Sequence, residues 1–412
     1  MKRIWMGPLA GAVCCAVVLQ FAAAEVAQTK VHVLHSFAGN TDGRKPRAAL
    51  IDVNGILYGT TEKGGTGNCS QGCGTVYALD PKTGADTVLY SFCGQQNCSD
   101  GSVPQSSLID VNGTLYGTTY RGGGHRHGTV FALDPNTGIE TVLYSFCSQK
   151  SCTDGSFPQS NLIDVNGALY GTTIDGGNYN CSCGTVFRLD PNTDVETVLY
   201  RFCSQQNCTD GQNLYAGLLN LGNMLYGTAG SGGTYGYGTV FALDPSTGAE
   251  TVLYSFCSQQ NCKDGRGPSN LIDVHGTLYG TTVYGGAACS DDLDGCGTVF
   301  ALDRKTGIET VLYVFCSQQN CTDGAEPFAG LIDVKGILYG TTRSGGAGDW
   351  GTVFELDPNT DVEAVLYSFC SQQKCADGSE PFAGLIDEKD LLYGTTYLGG
   401  ADRRGTVFVL KF

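Results

Sequence analysis

One phrase of this chain stands at the wrong end, and its position constrains the fold more than any other feature. Leu-Tyr-Gly-Thr occurs seven times, with its tyrosine at Tyr58, Tyr116, Tyr170, Tyr226, Tyr279, Tyr339 and Tyr393. Each copy is followed by Gly-Thr-Val and an aromatic residue, starting at Gly74, Gly128, Gly184, Gly238, Gly297, Gly351 and Gly405. A third phrase, close to Val-Leu-Tyr-Ser-Phe, ends at Phe92, Phe146, Phe202, Phe256, Phe315 and Phe369, which makes six copies. The seventh, Val33-Leu34-His35-Ser36-Phe37, precedes every other phrase. A linear array has no reason to carry its missing strand at the opposite terminus, whereas a ring does. Residues 31–37 are therefore expected to pair with 405–411.

Successive tyrosines lie 58, 54, 56, 53, 60 and 54 residues apart, near the roughly 50-residue period of kelch-type propeller blades. Within one unit the apolar pattern breaks every few residues, as short strands do. Ser107-Leu108-Ile109-Asp110-Val111 reads as a strand, and Asn112-Gly113 suits a two-residue type I′ hairpin. Residues 114–119 form the next strand and 128–134 the third. Asp134-Pro135-Asn136-Thr137-Gly138 makes a turn, and 140–146 form the fourth strand. The expected fold is all-β: a seven-bladed β-propeller of four-stranded antiparallel blades, closed by the N-terminal strand joining the C-terminal blade. No linker interrupts the repeat, so residues 25–412 read as a single domain.

Lys2 and Arg3 precede an apolar stretch that ends at Ala22-Ala23-Ala24, the pattern of a secretory signal peptide over residues 1–24. No later segment is apolar and long enough for a membrane-spanning helix. The product is expected to be secreted or periplasmic, without a transmembrane anchor in the mature chain. Cysteine usage agrees with export. Six pairs share one spacing: Cys93/Cys98, Cys147/Cys152, Cys203/Cys208, Cys257/Cys262, Cys316/Cys321 and Cys370/Cys375. The seventh equivalent place, Ala38-Gly39-Asn40-Thr41-Asp42-Gly43, lacks both cysteines at once, so each pair is expected to bond to itself. Three further pairs, Cys69/Cys73, Cys181/Cys183 and Cys289/Cys296, occupy another loop. An even, clustered set in an exported chain reads as disulfides. Zinc is the weaker reading, because the paired Cys-x-x-Cys framework is missing.

Strand parity separates two faces. One carries the Asn-Gly hairpins and the Asp-Pro-x-Thr-Gly turns, short and repetitive. The other carries every cysteine of the mature chain and all the length variation, and is the candidate functional face, since binding residues favour variable loops on a rigid scaffold. Its candidate ligand-binding residues are Tyr120, Arg121, Tyr284, Arg343, Trp350 and Tyr397, aromatics mixed with cations as in sugar or peptide recognition. Asp42, Asp100, Asp154, Asp210, Asp264, Asp323 and Asp377 recur once per unit before glycine, as turn-forming carboxylates do. The loop 290–295 breaks the symmetry and resembles the start of a calcium loop, with Asp292 and Asp294 as candidate ligands. The glutamate that would close an EF-hand is replaced by Ala301, and no other cofactor is implied.

Catalytic signatures are missing: there is no Gly-x-Ser-x-Gly elbow, His-Glu-x-x-His motif, phosphate loop or dinucleotide fingerprint. The formal charge of −16 disfavours nucleic acid and anionic membrane surfaces as partners.

Together, Leu-Tyr-Gly-Thr-Thr, Gly-Gly, Gly-Thr-Val-Phe-x-Leu-Asp and Val-Leu-Tyr-Ser-Phe resemble the GloVer tandem repeat of bacterial exported proteins. The resemblance covers nearly all of the mature chain. It implies a propeller-like repeat protein and brings no activity or catalytic residues with it. The expected role is a monomeric binding module, for glycans or cell-envelope components. The competing expectation is an extracellular carbohydrate-active enzyme (lyase, hydrolase or oxidase) with its site at the channel mouth. Asymmetric acid, base and aromatic residues at that mouth would favour the enzyme, and a symmetric ring of Gly, Thr and Asp the binder.

Overall fold

A computed structural model describes residues 30–178, 183–286 and 296–412; the expected signal segment lies outside them. Its strands form seven four-stranded antiparallel sheets arranged in a ring, a seven-bladed β-propeller. In the first blade the strands are Ile51–Val53, Ile56–Thr61, Thr75–Leu79 and Asp86–Ser91, from the axis outward. The short first strands of neighbouring blades approach one another around the axis. In the seventh blade the outer strand is Val31–Ser36, paired antiparallel with Thr406–Lys411. The displaced phrase thus closes the ring. Each hairpin expected from Asn-Gly has both residues left-handed, as in Asn112 (φ 54°) and Gly113 (φ 85°), the type I′ requirement. The innermost strand is shorter than expected: Ser107 and Leu108 precede Ile109–Val111 and line the axial cavity instead.

Three repeated contacts explain why the phrases repeat. The first threonine after Leu-Tyr-Gly reaches the next blade: Thr60 Oγ1 donates to the Ser106 carbonyl (3.1 Å), Thr172 to Ala216 (3.2 Å) and Thr341 to Ala383 (3.0 Å). Across the closure, Thr395 donates to the Ala48 carbonyl (3.4 Å). The second threonine bonds within the blade, as in Thr61 to Thr75 (2.8 Å). Phenylalanine at the end of each outer strand then packs edge-on or tilted against an aromatic ring of the following blade. Phe146 meets Phe187 at 5.0 Å, Phe369 meets Phe408 at 5.0 Å, and Phe37 meets Tyr77 at 5.2 Å across the closure. The glycine of Leu-Tyr-Gly lies under that second ring. A Cβ on Gly117 would stand 2.7 Å from Phe131, closer than packed atoms allow.

The Asp-Gly carboxylates are structural. Asp154 is fully buried. Its carboxylate accepts the Tyr144 hydroxyl (2.9 Å), the Ser148 amide (2.8 Å) and the Gln149 amide (3.3 Å). The Cys147–Cys152 disulfide closes the loop that supplies those amides. Equivalent disulfides join Cys93–Cys98, Cys203–Cys208, Cys257–Cys262, Cys316–Cys321 and Cys370–Cys375, and Cys69 bonds Cys73. Cys183 and Cys296 are also disulfide-bonded; their expected partners Cys181 and Cys289 lie outside the described residues. At several blade boundaries a glutamate of the next outer strand adjoins the Tyr–Asp pair, Glu140 beside Tyr90 and Asp100 for example. At the closure this set changes. His35 takes the tyrosine's place, with Nε2 3.7 Å from Asp42 and Nδ1 3.5 Å from Asp86.

Candidate functional site at the axial channel

Every blade sends one segment to the axis, between its Asp-Gly and its innermost strand. In the first blade that segment is Arg44-Lys45-Pro46-Arg47-Ala48-Ala49-Leu50. The residue before the proline is left-handed even where the side chain is bulky, as at Val103 (φ 59°) and Phe157 (φ 57°). Such a conformation is costly for non-glycine residues. Loops on both sides hold it: the Val103 amide donates to the Cys73 carbonyl (2.7 Å), and the Tyr120 amide to the Val103 carbonyl (3.0 Å). The chain is thereby turned so that the residue after the proline faces the axis.

These segments enclose a cavity of about 940 Å³, a volume suited to a small ligand or a few sugar rings. Its wall is drawn from all seven blades, and its rim from the loops of the cysteine-bearing face. The scaffold is regular, but the wall is not. The residue after the proline is Arg47, Gln105, Gln159, Phe328 and Phe382 in five blades, and Tyr215 takes that place in the fourth. In the fifth blade Ser269 follows the proline and the run is one residue shorter. There the chain runs as a nine-residue strand, Arg266–Val274, whose pairing sets Arg266 opposite Tyr284. The Arg266 guanidinium accordingly lies 5.4 Å from the Tyr284 ring centre and 5.5 Å from that of Tyr237.

An aromatic and cationic belt runs along one side of the mouth. Tyr284 meets Phe328 at 6.4 Å, Phe328 meets Phe382 at 5.3 Å, and Phe382 meets Tyr397 at 5.1 Å. Arg343 packs on Phe382 (5.0 Å) and Phe328 (5.8 Å), held by Glu326 (3.1 Å) and Glu380 (3.7 Å). Arg47 covers Phe382 at 5.4 Å. Lys45 lies over Tyr397 at 4.6 Å and donates to its hydroxyl, which in turn donates to Glu62 (3.3 Å). Burial, followed by the charge of Glu62, pushes the Tyr397 hydroxyl up to about 12, so it stays protonated.

The structure divides the residues expected from sequence. Tyr284 lines the cavity, and Arg343 and Tyr397 buttress its phenylalanines. Tyr120 and Arg121 form a separate cluster on Phe157, with ring centres 5.1 Å apart and the guanidinium 6.0 Å from Phe157. Trp350 stands apart from the wall, 41 % exposed. Asp292 and Asp294, the candidate calcium ligands, lie outside the described residues. Sequence reasoning passed over Arg47, Arg266, Phe328 and Phe382. Their signal was variation at one place in an otherwise repeated segment, and only the ring shows that this place faces the axis.

His127 stacks on Phe157 at 4.8 Å beside the Cys147–Cys152 bridge. The sulfurs of Cys69–Cys73 and Cys93–Cys98 all lie within 4.8 Å of one another. Bound in disulfides, they offer no thiolate to a metal.

A family model described as the Gloeobacter/Verrucomicrobia repeat matches residues 21–183, 68–293 and 166–408. No curated protein matches the chain. Among solved structures, it is similar to the extracellular domain of a protein assigned as a hybrid two-component system of B. thetaiotaomicron. The TM-score is 0.57 at 9 % identity, covering 92 % of this chain and 39 % of that one. It is also similar to a protein of Bacteroides uniformis assigned as a 6-phosphogluconolactonase. That TM-score is 0.50 at 14 % identity, covering 83 % of this chain and 89 % of that one. Both likenesses concern the fold alone.

Proposed function

The chain belongs to the Gloeobacter/Verrucomicrobia repeat family, and on that premise we propose that it is an exported binding module that takes a glycan or glycan-bearing envelope component at the axial mouth. The disulfides fit an oxidising compartment, periplasmic or extracellular. No helix among the described residues is long and apolar enough to cross a membrane. The observation that carries the reading is the composition of the wall, where Phe328, Phe382, Tyr215 and Tyr284 stand with the amides of Gln105 and Gln159. Flat apolar faces beside amides suit sugar rings, which present apolar C–H faces and a polar edge.

The asymmetry of the mouth is the feature that would favour an enzyme. Against it, the described wall residues include no Asp, Glu, His, Cys or Lys, so that wall offers no carboxylate, imidazole, thiol or amine to the reaction. The rim carboxylates Glu326 and Glu380 are engaged by Arg343.

The test is a glycan panel presented to the oxidised mature protein, with any hit measured by calorimetry and assayed for new reducing ends. The expected result is binding without cleavage. Phe328→Ala with Phe382→Ala should weaken it roughly tenfold or more, about 1.4 kcal/mol. Ile139→Thr, exposed on the opposite face, should leave it unchanged. Failure to bind any glycan rejects the ligand class, and cleavage selects the enzyme.

A further inference from the structure

We infer that the axial cavity takes an anionic saccharide, one bearing a carboxylate or a phosphate, and that Arg47 meets its charge. The inference rests on the glycan reading above and narrows it. It starts from a contrast of charge. The chain carries 40 acidic against 24 basic residues, yet the only charged side chains on the described cavity wall are Arg47 and Arg266. A neutral cavity in an acidic protein would leave an anion repelled. The Arg47 guanidinium puts a positive charge on a wall whose described residues include no carboxylate, and a low-dielectric cavity strengthens its field.

Two asparagine amides of the wall also present their donor ends. Asn161 Oδ1 accepts the Ser107 amide (2.8 Å), and Asn270 Oδ1 accepts the Gly217 amide (2.6 Å). Each carbonyl is thereby occupied within the scaffold, and the NH₂ group is the end of the amide that remains for a ligand. Guanidinium offers donors alone. Guanidinium and amide NH₂ donors on the wall suit an acceptor-rich guest, and a carboxylate or phosphate oxygen is the strongest such acceptor.

Arg47 is placed for this role. Its guanidinium lies over Phe382 at 5.4 Å, which fixes the plane of the fork beside the aromatic surface where a sugar ring would rest. Among the described residues no carboxylate lies within ion-pair distance of Arg47. Arg343, one ring away, is held by Glu326 and Glu380. The two arginines on Phe382 therefore divide their work: Arg343 braces the ring, and Arg47 faces the guest.

The test is calorimetry of the oxidised mature protein with three probes: trigalacturonate, cellotriose as a neutral trisaccharide, and glucose 6-phosphate. At least one acidic probe should bind roughly tenfold tighter than cellotriose, with affinity falling as salt is raised. The relative strength of trigalacturonate and glucose 6-phosphate tells which anion is preferred. Arg47→Gln should cut acidic binding roughly tenfold and change cellotriose binding less than about twofold. Arg47→Lys, keeping charge without the fork, should fall between. Cellotriose binding as tightly as both acidic probes, or unchanged acidic binding in Arg47→Gln, overturns the inference and leaves the glycan site standing. Binding of none of the three, with an empty glycan panel, overturns both.

Discussion

Phe37→Ala should destabilise the protein by about 3–5 kcal/mol, as much as the same change at Phe146. Phe37 follows the strand Val31–Ser36, which precedes every complete repeat unit and in a linear array would fray at little cost. In the ring it is fully buried and stacks on Tyr77 of the first blade at 5.2 Å. Its amide donates to the Gly405 carbonyl at 3.1 Å. Phe146, in the middle of the chain, has the same burial and the same kind of partner in Phe187. Truncating either ring removes a comparable buried surface and leaves a comparable void, so closure predicts equal losses. Denaturant unfolding under oxidising conditions measures both. A loss below about 1 kcal/mol at Phe37, beside a full loss at Phe146, would show that the seventh blade opens on its own.

Stability should fall as pH rises from about 5 to 8. Burial first, with the neighbouring aspartates adding to it, pushes Glu140, Glu196, Glu250, Glu309 and Glu363 each up to about 7. In the unfolded chain these groups titrate near 4.5. The folded state therefore holds more protons than the unfolded state across that window. Stability contributed by the protonated form is fully present below 4.5, is lost as pH rises toward 7, and changes little above it. These glutamates are half-buried, and screening limits the effect to roughly 1 kcal/mol per site. On the acid side, the turn aspartates Asp80, Asp134, Asp190, Asp244, Asp303 and Asp357 are held below their usual range by local amides and hydroxyls. Their contribution disappears as pH drops below about 4. The maximum should lie near pH 4–5. Glu140→Gln, which mimics the protonated acid, should raise the midpoint at pH 8 and leave it nearly unchanged at pH 4. A melting temperature that is level or rises between pH 5 and 8 would refute this account.

The scaffold was legible in the sequence because each scaffold contact recurs at fixed spacing. Asn112-Gly113 announced its hairpin, and paired loss of cysteines between Ala38 and Gly43 announced the self-bonded pairs. Val33 to Phe37 announced the closure. The reading went less far where three dimensions select among similar residues. Tyr284 and Tyr120 occupy neighbouring places after Leu-Tyr-Gly-Thr-Thr, but only Tyr284 reaches the wall. In the fifth blade a one-residue shortening lengthens the strand and swings Arg266 onto Tyr284, whereas Tyr120 stacks on Phe157. Trp350 drew attention as the single tryptophan of the repeats, yet it is exposed and stands apart from the described wall. Phe328 and Phe382 were hidden by their setting, a Pro-Phe-Ala-Gly run that reads as repeat until the ring turns it inward. Arg47, at the same place in the first blade, was hidden in the same way.

Hydrogen–deuterium exchange of the oxidised protein with and without saturating trigalacturonate tests the placement of the site most directly. The account predicts slowed exchange at 45–51, 266–271, 328–331 and 382–385, with no change in the Asp-Pro-x-Thr-Gly turns of the opposite face. Binding accompanied by protection on that opposite face, or along the outer strands, and none at the four axial segments would contradict it.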